Sequence, residues 1–243
     1  VAIFGDDGDA NRHMQDAESI AKTVEGVSND FYVKRIMWDI YKRENTSTGF
    51  TYPEVEKQFN QQMADGALII NYTGHGAPHQ LSHENVIKLS DIESATNKNL
   101  AFWITAACDV TPFDSRLAHF GTSALFNNNG GAIGFYGTTH SVFPTENRAI
   151  NRAMISALLT PINGEIVSIG EAQRIAKNNL VTQRTDISVN KLQYTLLGDP
   201  AMKLNVPKQK VVIDSINGFC VDNLVEPVKM KAASVARIAG HIE

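Results

Sequence analysis

Five short apolar runs recur along the chain: VAIF at the start, FYVKRIMW near residue 35, then ALIINY, LAFWITA and GAIGFYG. The segments between them carry helical rather than strand periodicity. From His13 to Val24, the residues Met14, Ala17, Ile20, Ala21 and Val24 recur at three- and four-residue steps and share one helix face. Weaker versions of the pattern run over Tyr52 to Met63, Ser115 to Phe126, Glu146 to Leu159 and Ile166 to Leu180. Strands alternating with helices predict βαβ units, hence an α/β fold with a mainly parallel sheet covered on both faces. The ligand sites of such sheets lie beyond the carboxyl ends of the strands.

That rule picks out four polar stretches. GDDGDAN follows VAIF, TGHG follows ALIINY, ACD follows LAFWITA and TTHS follows GAIGFYG. In a parallel sheet all four gather on one edge, which makes His75, Cys108 and His140 neighbours despite their separation in sequence.

A chain of 243 residues suits one large α/β domain with a small appendage. LQYTLLGDPAMKL reads as a hairpin or strand that closes the first domain, placed at residues 1–206. VPKQKVVIDSING opens a small β module in residues 207–243, and the tail VKMKAASVARIAGHIE reads either as a short amphipathic helix or as an artefact of where the chain was cut. A net charge of -4 with no block of Lys and Arg argues against nucleic acid as a partner. No apolar run approaches the roughly 18 residues of a transmembrane helix. Cys108 and Cys220 are the only two cysteines, too few for a disulfide framework or a four-cysteine zinc site.

Three histidines stand at equal spacing in TGHGAPHQLSHE: His75, His79 and His83. On a helix they would share a face and hold a metal, but Gly74, Gly76 and Pro78 interrupt any such helix. The zincin pattern also needs a glutamate directly after its first histidine, where this chain has Gly76. A zinc hydrolase using the three histidines is therefore the weakest of the readings retained, and His79 and His83 are read as histidines of no special role. His75 differs in lying between two glycines at a strand end, where the Gly76 amide can donate to an oxyanion. The competing reading of GHG is a tight turn. Cys108 occupies the same relative place on another strand, so His75 and Cys108 form a candidate cysteine-protease dyad. Cys108 is expected to be the reactive thiol and Cys220, between Phe219 and Val221, the inert one.

With TGHG after one apolar run and TAACD after the next, the sequence resembles the gingipain family, caspase-like cysteine peptidases. The likeness is closer to the family's members that process C-terminal signals in type IX secretion. FGDDGDANRHMQDAE, NYTGHG, ITAACDVTPFD, NNNGGAIGFYGTTHSVFP and YTLLGDPAMKL occur in the family's order over roughly residues 1–205. The resemblance implies a caspase-like three-layer sandwich, with Cys108 as nucleophile, His75 as acid/base, and the amides of Gly76 and Cys108 as the oxyanion hole. It implies a cysteine endopeptidase or transpeptidase acting on protein or peptide substrates at the bacterial outer-membrane surface or outside the cell, alongside other secretion components. It also implies that the β module begins an immunoglobulin-like domain.

The family places an orienting acid or amide near the end of the first strand, and Asp9 and Asn11 are the favoured candidates. No cofactor is required by this chemistry. Asp7, Asp9, Asn11 and Glu18 have part of an EF-hand spacing, but Arg12 stands where the turn glycine belongs. An acidic turn capping the next helix is preferred, with calcium as a structural ion the alternative, since gingipain relatives do bind calcium. By resemblance, the loop GTTHSVFPTEN walls the specificity pocket with His140, Val142 and Phe143, none of which offers a counter-charge to arginine or lysine. The reading that competes with an enzyme is a non-catalytic, peptidase-like binding or assembly module of the secretion machinery.

Overall fold

The computed structural model describes residues 1–47, 49–206, 209–223 and 226–243. Two compact units follow one another, Val1–Val206 and a smaller one ending at Glu243. The first is built on six strands: β1 (Ala2–Gly5), β2 (Lys34–Met37), β3 (Ile69–Thr73), β4 (Ala101–Ala106), β5 (Ala132–Thr138) and β6 (Tyr194–Leu197). Their spatial order is β6-β5-β4-β3-β1-β2. Every neighbouring pair is parallel except β5 and β6, where LQYTLLGDPAMKL returns antiparallel as the edge strand.

The strands read as continuous apolar runs because both faces of the sheet are buried. Ile3, Ile69, Phe102, Ile104 and Tyr136 point to one face, beneath α1 (Gly8–Val27), α5 (Pro144–Leu159) and α6 (Ile169–Thr182). Ala2, Phe4, Ile36, Ile70, Tyr72, Trp103 and Phe135 point to the other, beneath α2 (Pro53–Asp65), α3 (Leu89–Glu93) and α4 (Phe120–Phe126). The second face is held by aromatic edges: Phe59 of α2 meets Phe4 and Trp103 at centroid distances of 5.9 Å each, and Trp103 stacks on Phe135. Pro53 and Pro144 start their helices in the first turn, where a missing N–H costs nothing. Among the described residues no helix is long and apolar enough to cross a membrane.

Two elements are shorter than their patterns. FYVKRIMW contributes only Lys34–Met37, after which the fully buried Trp38 opens a 3₁₀ turn. The periodic stretch Ser115 to Phe126 is helical only from Phe120, because His119 stops the chain in an extended conformation and its ring Nδ1 accepts from the Thr122 amide as a cap. In the smaller unit, Val211–Ile216 lies between Phe219–Cys220 and Ile238–Ile242 in an antiparallel sheet of three strands. Residues 238–242 are thus strand rather than the amphipathic helix that is one reading of the tail. Pairing Ile238 with Ile216 and Ile242 with Val211 gives β-branched residues cross-strand partners, whereas Gly240 would cost a helix about 1 kcal/mol.

The strand order makes β1 and β3 neighbours whose outgoing connections lead to opposite faces, α1 on one and α3 on the other. Such a switch point leaves a crevice at the carboxyl ends of the strands. A buried amide pair ties β3 to α5 just below it: Asn71 Nδ2 donates to Asn151 Oδ1 at 2.7 Å, and Asn151 Nδ2 donates back at 3.1 Å. Asn151→Ala leaves the Asn71 amide without this partner in an apolar layer, and is expected to lower stability by ~1–3 kcal/mol. In urea unfolding the midpoint should fall while the slope stays unchanged.

Candidate active site

The crevice begins with Asp6, the first residue beyond β1, whose side chain is fully buried. Its carboxylate accepts from the main-chain amides of Gly8 and of His75, the latter at 2.9 Å. The Tyr72 hydroxyl lies 3.2 Å from Asp6 Oδ2 and 2.7 Å from the His75 carbonyl oxygen, so its one proton serves one or the other. Burial first, and the Asp6 charge second, push the Tyr72 phenol well above its ordinary pKa. The His75 main chain is thereby clamped from both sides.

Beyond Asp7 the chain makes a left-handed turn. Asp9, Ala10 and Asn11 have φ of 54°, 55° and 64°, and the right-handed part of α1 starts only after them. Left-handed backbone costs a residue with a side chain about 1–2 kcal/mol. The turn brings Asp9 between two imidazoles: Oδ1 is 3.5 Å from His75 Nε2 and Oδ2 is 3.5 Å from His13 Nε2. The His13 ring meets the His75 ring edge to face at 4.8 Å. Burial pushes the His13 imidazole below its usual pKa, partly opposed by the Asp6, Asp9 and Asp16 carboxylates. Gly8 closes this side, since a Cβ there would lie 2.8 Å from His75 Cδ2.

HGAPHQLSHENVIK is a β-meander, Gly76–Ala77, Gln80–Leu81 and Ile87–Lys88. His79 sits exposed in its first turn. The Ser82 amide donates to the His75 carbonyl at 2.9 Å, and the next residue, His83, lays its ring over His75 with centroids 3.8 Å apart and planes 15° apart. Ring-nitrogen lone pairs lie in the ring plane, so two imidazoles stacked face to face do not aim at a common ion. The zinc set His75, His79 and His83 is accordingly not assembled. His83, read as having no special role, instead packs directly on His75.

Thr73 of β3 pairs with Ala106 of β4, so His75 and Cys108 each stand two residues beyond paired positions on adjacent parallel strands. Gly76 permits the close approach of the two strand ends: a Cβ on it would fall 2.8 Å from the Ala107 Cβ and 2.9 Å from the Cys108 carbonyl oxygen. The Cys108 sulfur is bracketed by Val142, whose amide lies 3.4 Å and whose carbonyl lies 3.6 Å from it. Burial pushes the Cys108 thiol up, the Val142 contact opposes this, and the Asp109 carboxylate adds to the rise. Burial and the Asp109 charge thus favour the neutral form of the half-buried thiol, whereas Cys220 is exposed. Burial thus works against the ready reactivity expected of Cys108 from sequence.

Of the other residues singled out from sequence, Asn11 is exposed within the left-handed turn, its amide donating to the Asp7 carbonyl at 3.3 Å, so of the two orienting candidates it is Asp9 that meets His75. The Val142 side chain is buried in the core, while His140 and Phe143 point outward. Asp7 receives the Tyr52 hydroxyl and Glu18 pairs with Arg35 at 2.8 Å, so the acids of the calcium pattern turn to different partners. Sequence reasoning weighed Asp6 as an orienting residue without favouring it, and passed over His13 and Asp109. The four-residue step from Asp9 to His13 was the one visible hint of their contact.

The family model of peptidase family C25 matches residues 1–205. The crystal structure of the arginine-specific cysteine proteinase gingipain R superposes with a TM-score of 0.64 at 19% identity, over 87% of this chain and 48% of that one. The complex of the pro- and mature domains of RgpB from Porphyromonas gingivalis gives 0.63 at 17% identity, over 87% and 50%. The Saccharomyces cerevisiae separase–securin complex gives 0.51 at 14%, over 81% and 11%. The chain thus spans about half the length of the two gingipain chains it matches. No curated protein matches it in sequence. The fold is that of the caspase-like peptidases. Within that class the chain belongs to peptidase family C25, the gingipain family of cysteine peptidases.

The raised pKa of Cys108 fixes the sign of a chemical test. Alkylation follows the thiolate fraction, so the Cys108 rate with iodoacetamide should still be climbing at pH values where an ordinary thiol has levelled off. Near pH 7 the exposed Cys220 should be labelled first. Peptide mapping by mass spectrometry across the pH range checks both statements, and fast neutral labelling of Cys108 would contradict them.

Proposed function

We propose that the chain is the catalytic unit of a cysteine endopeptidase in which Cys108 attacks the scissile carbonyl and His75 moves the proton. The observation that carries this is the position of the two residues just beyond the carboxyl ends of adjacent parallel strands, β3 and β4, beside the switch point between β1 and β3. The amides of Gly76 and Cys108 supply an oxyanion hole, a role supported by the close main-chain approach that only glycine allows at position 76. Asp9 orients His75 through Nε2, which leaves Nδ1 for the reacting proton. Since the thiol rests protonated, His75 acts as base when substrate displaces water, and then returns the proton to the leaving amine. Water, or an amine in a transpeptidation, releases the acyl group from Cys108.

The substrates are proteins or peptides, with His140 and Phe143 lining the specificity side of the cleft. Resemblance to the secretion-linked branch of the family points to C-terminal signals of proteins exported by type IX secretion, processed outside the cell or at the outer-membrane surface beside other secretion components. The intact His75 and Cys108 favour an enzyme over a non-catalytic assembly module. An acid does meet the loop at residues 139–143 from outside it, as Asp109 Oδ2 accepts from the Ser141 hydroxyl at 3.1 Å. With that carboxylate engaged, we expect no preference for arginine or lysine before the cleaved bond.

Cys108→Ala should abolish turnover of a peptide library, and His75→Ala should lower kcat/KM by on the order of 10³-fold or more. Full activity in Cys108→Ala would end the proposal. A cleavage profile dominated by arginine and lysine would instead assign Asp109 to the pocket.

A further inference from the structure

We infer that Asp9, His13 and His75 form a binding site for a divalent transition-metal ion of the zinc type, and that occupation of this site switches the peptidase off. The inhibitory half rests on His75 serving as the acid/base. One ligand atom from each of the three residues lies within 4.8 Å of the other two. Ligands about 2.0–2.1 Å from a tetrahedral zinc ion stand ~3.3 Å apart. The two contacts of Asp9 with the histidine nitrogens, at 3.5 Å each, already approach that edge length. The remaining distance, between the imidazole nitrogens, lies within 4.8 Å.

A second observation points to a ligand at the same place. His13 is only 6% exposed, and its Nε2 is buried without a hydrogen-bond partner while directed at Asp9. Buried polar atoms ordinarily find hydrogen-bond partners, and one held only at 3.5 Å from Asp9 with no hydrogen bond has room for an ion or water. Two imidazole nitrogens and one carboxylate oxygen suit zinc, cobalt or nickel far better than calcium, which takes six to eight oxygens. Three protein ligands leave a fourth tetrahedral position open, as in zinc sites accessible to solvent.

The chemical consequence follows from the imidazole's electron count. A neutral ring has one lone pair in its plane. Given to the metal from Nε2, that pair leaves Nδ1 as an N–H, a donor unable to accept the proton of Cys108. The metal also takes Asp9 from its orienting contact. No bond to Cys108 is needed, which separates this site from simple capture of zinc by a thiol.

The test uses the whole 243-residue chain and zinc itself as the probe. Calorimetric titration of the Cys108→Ala variant should show one zinc per chain, and cobalt substitution should give the visible absorption of a tetrahedral ion. His13→Gln and Asp9→Asn, made in that background, should each weaken zinc binding by at least ~100-fold, since loss of even outer-shell support costs about 10–100-fold. Because His13 is buried, Asp9→Asn at the more exposed position guards against a variant that merely fails to fold. His79→Ala should bind zinc unchanged. Zinc at binding concentrations should stop peptide cleavage by the unmodified chain, and a chelator should restore it. Loss of binding in Cys108→Ala, or undiminished binding in Asp9→Asn and His13→Gln, would overturn the site. Binding through these residues with turnover unaffected would overturn the inhibition. A metal-free chain that cleaves no peptide yet binds zinc as described would refute the proposed function and uphold the site.

Discussion

The buried carboxylate of Asp6 is the contact on which the geometry of the crevice depends. It is the first residue past β1, yet it accepts from the main chain of His75, past the end of β3. A carboxylate buried from water must have its lone pairs taken up, and the amides of Gly8 and His75 do this, with the Tyr72 hydroxyl 3.2 Å away. Satisfying one buried charge therefore fixes two strand ends, and it sets where the His75 ring leaves the backbone. Gly8, Gly74 and Tyr72 all crowd this carboxylate or its partners, so the arrangement has little freedom to relax.

The sulfur on the neighbouring strand is held by different physics. Cys108 is packed against Val142 and sits beside the Asp109 charge, and both burial and charge favour the neutral thiol. A preformed thiolate–imidazolium pair would need a site that stabilises the anion, and apolar walls do the opposite. The geometry instead fits a thiol that is deprotonated only as the reaction begins. A thiol of this kind reacts slowly with small reagents, because little of it is thiolate.

The architecture was legible in the residues because burial on both sheet faces writes itself as continuous apolar runs. VAIF, ALIINY, LAFWITA and GAIGFYG each became a strand of the parallel sheet, and the polar stretches after them meet at one edge. Periodicity failed where a local bond overrode it, as at His119, or where pairing rewarded β-branched residues, as at Ile238–Ile242. The surroundings of His75 were harder to foresee. Equal spacing of His75, His79 and His83 suggested a helix face, but the meander stacks His83 on His75 and leaves His79 in a turn. Asp9 and His13 are neighbours in sequence, yet they converge on His75 through a left-handed turn that no propensity predicts. Backbone held in such a region marks a place where surrounding contacts outweigh local preference.

The loop after β5 shows how one residue serves the core and the site together. Val142 buries its side chain in the hydrophobic layer with α5 while its amide and carbonyl flank the Cys108 sulfur. Next to it, the Phe143 amide donates to Asn190 Oδ1 at 2.8 Å, and the Asp109 amide donates to the His140 carbonyl at 3.4 Å. The main chain of the loop is thus anchored at three points. The side chains of His140, Ser141 and Phe143 stay outside those anchors. Substitution at these outward positions leaves those anchors in place, whereas substitution of Val142 disturbs the core and the surroundings of the Cys108 sulfur at once.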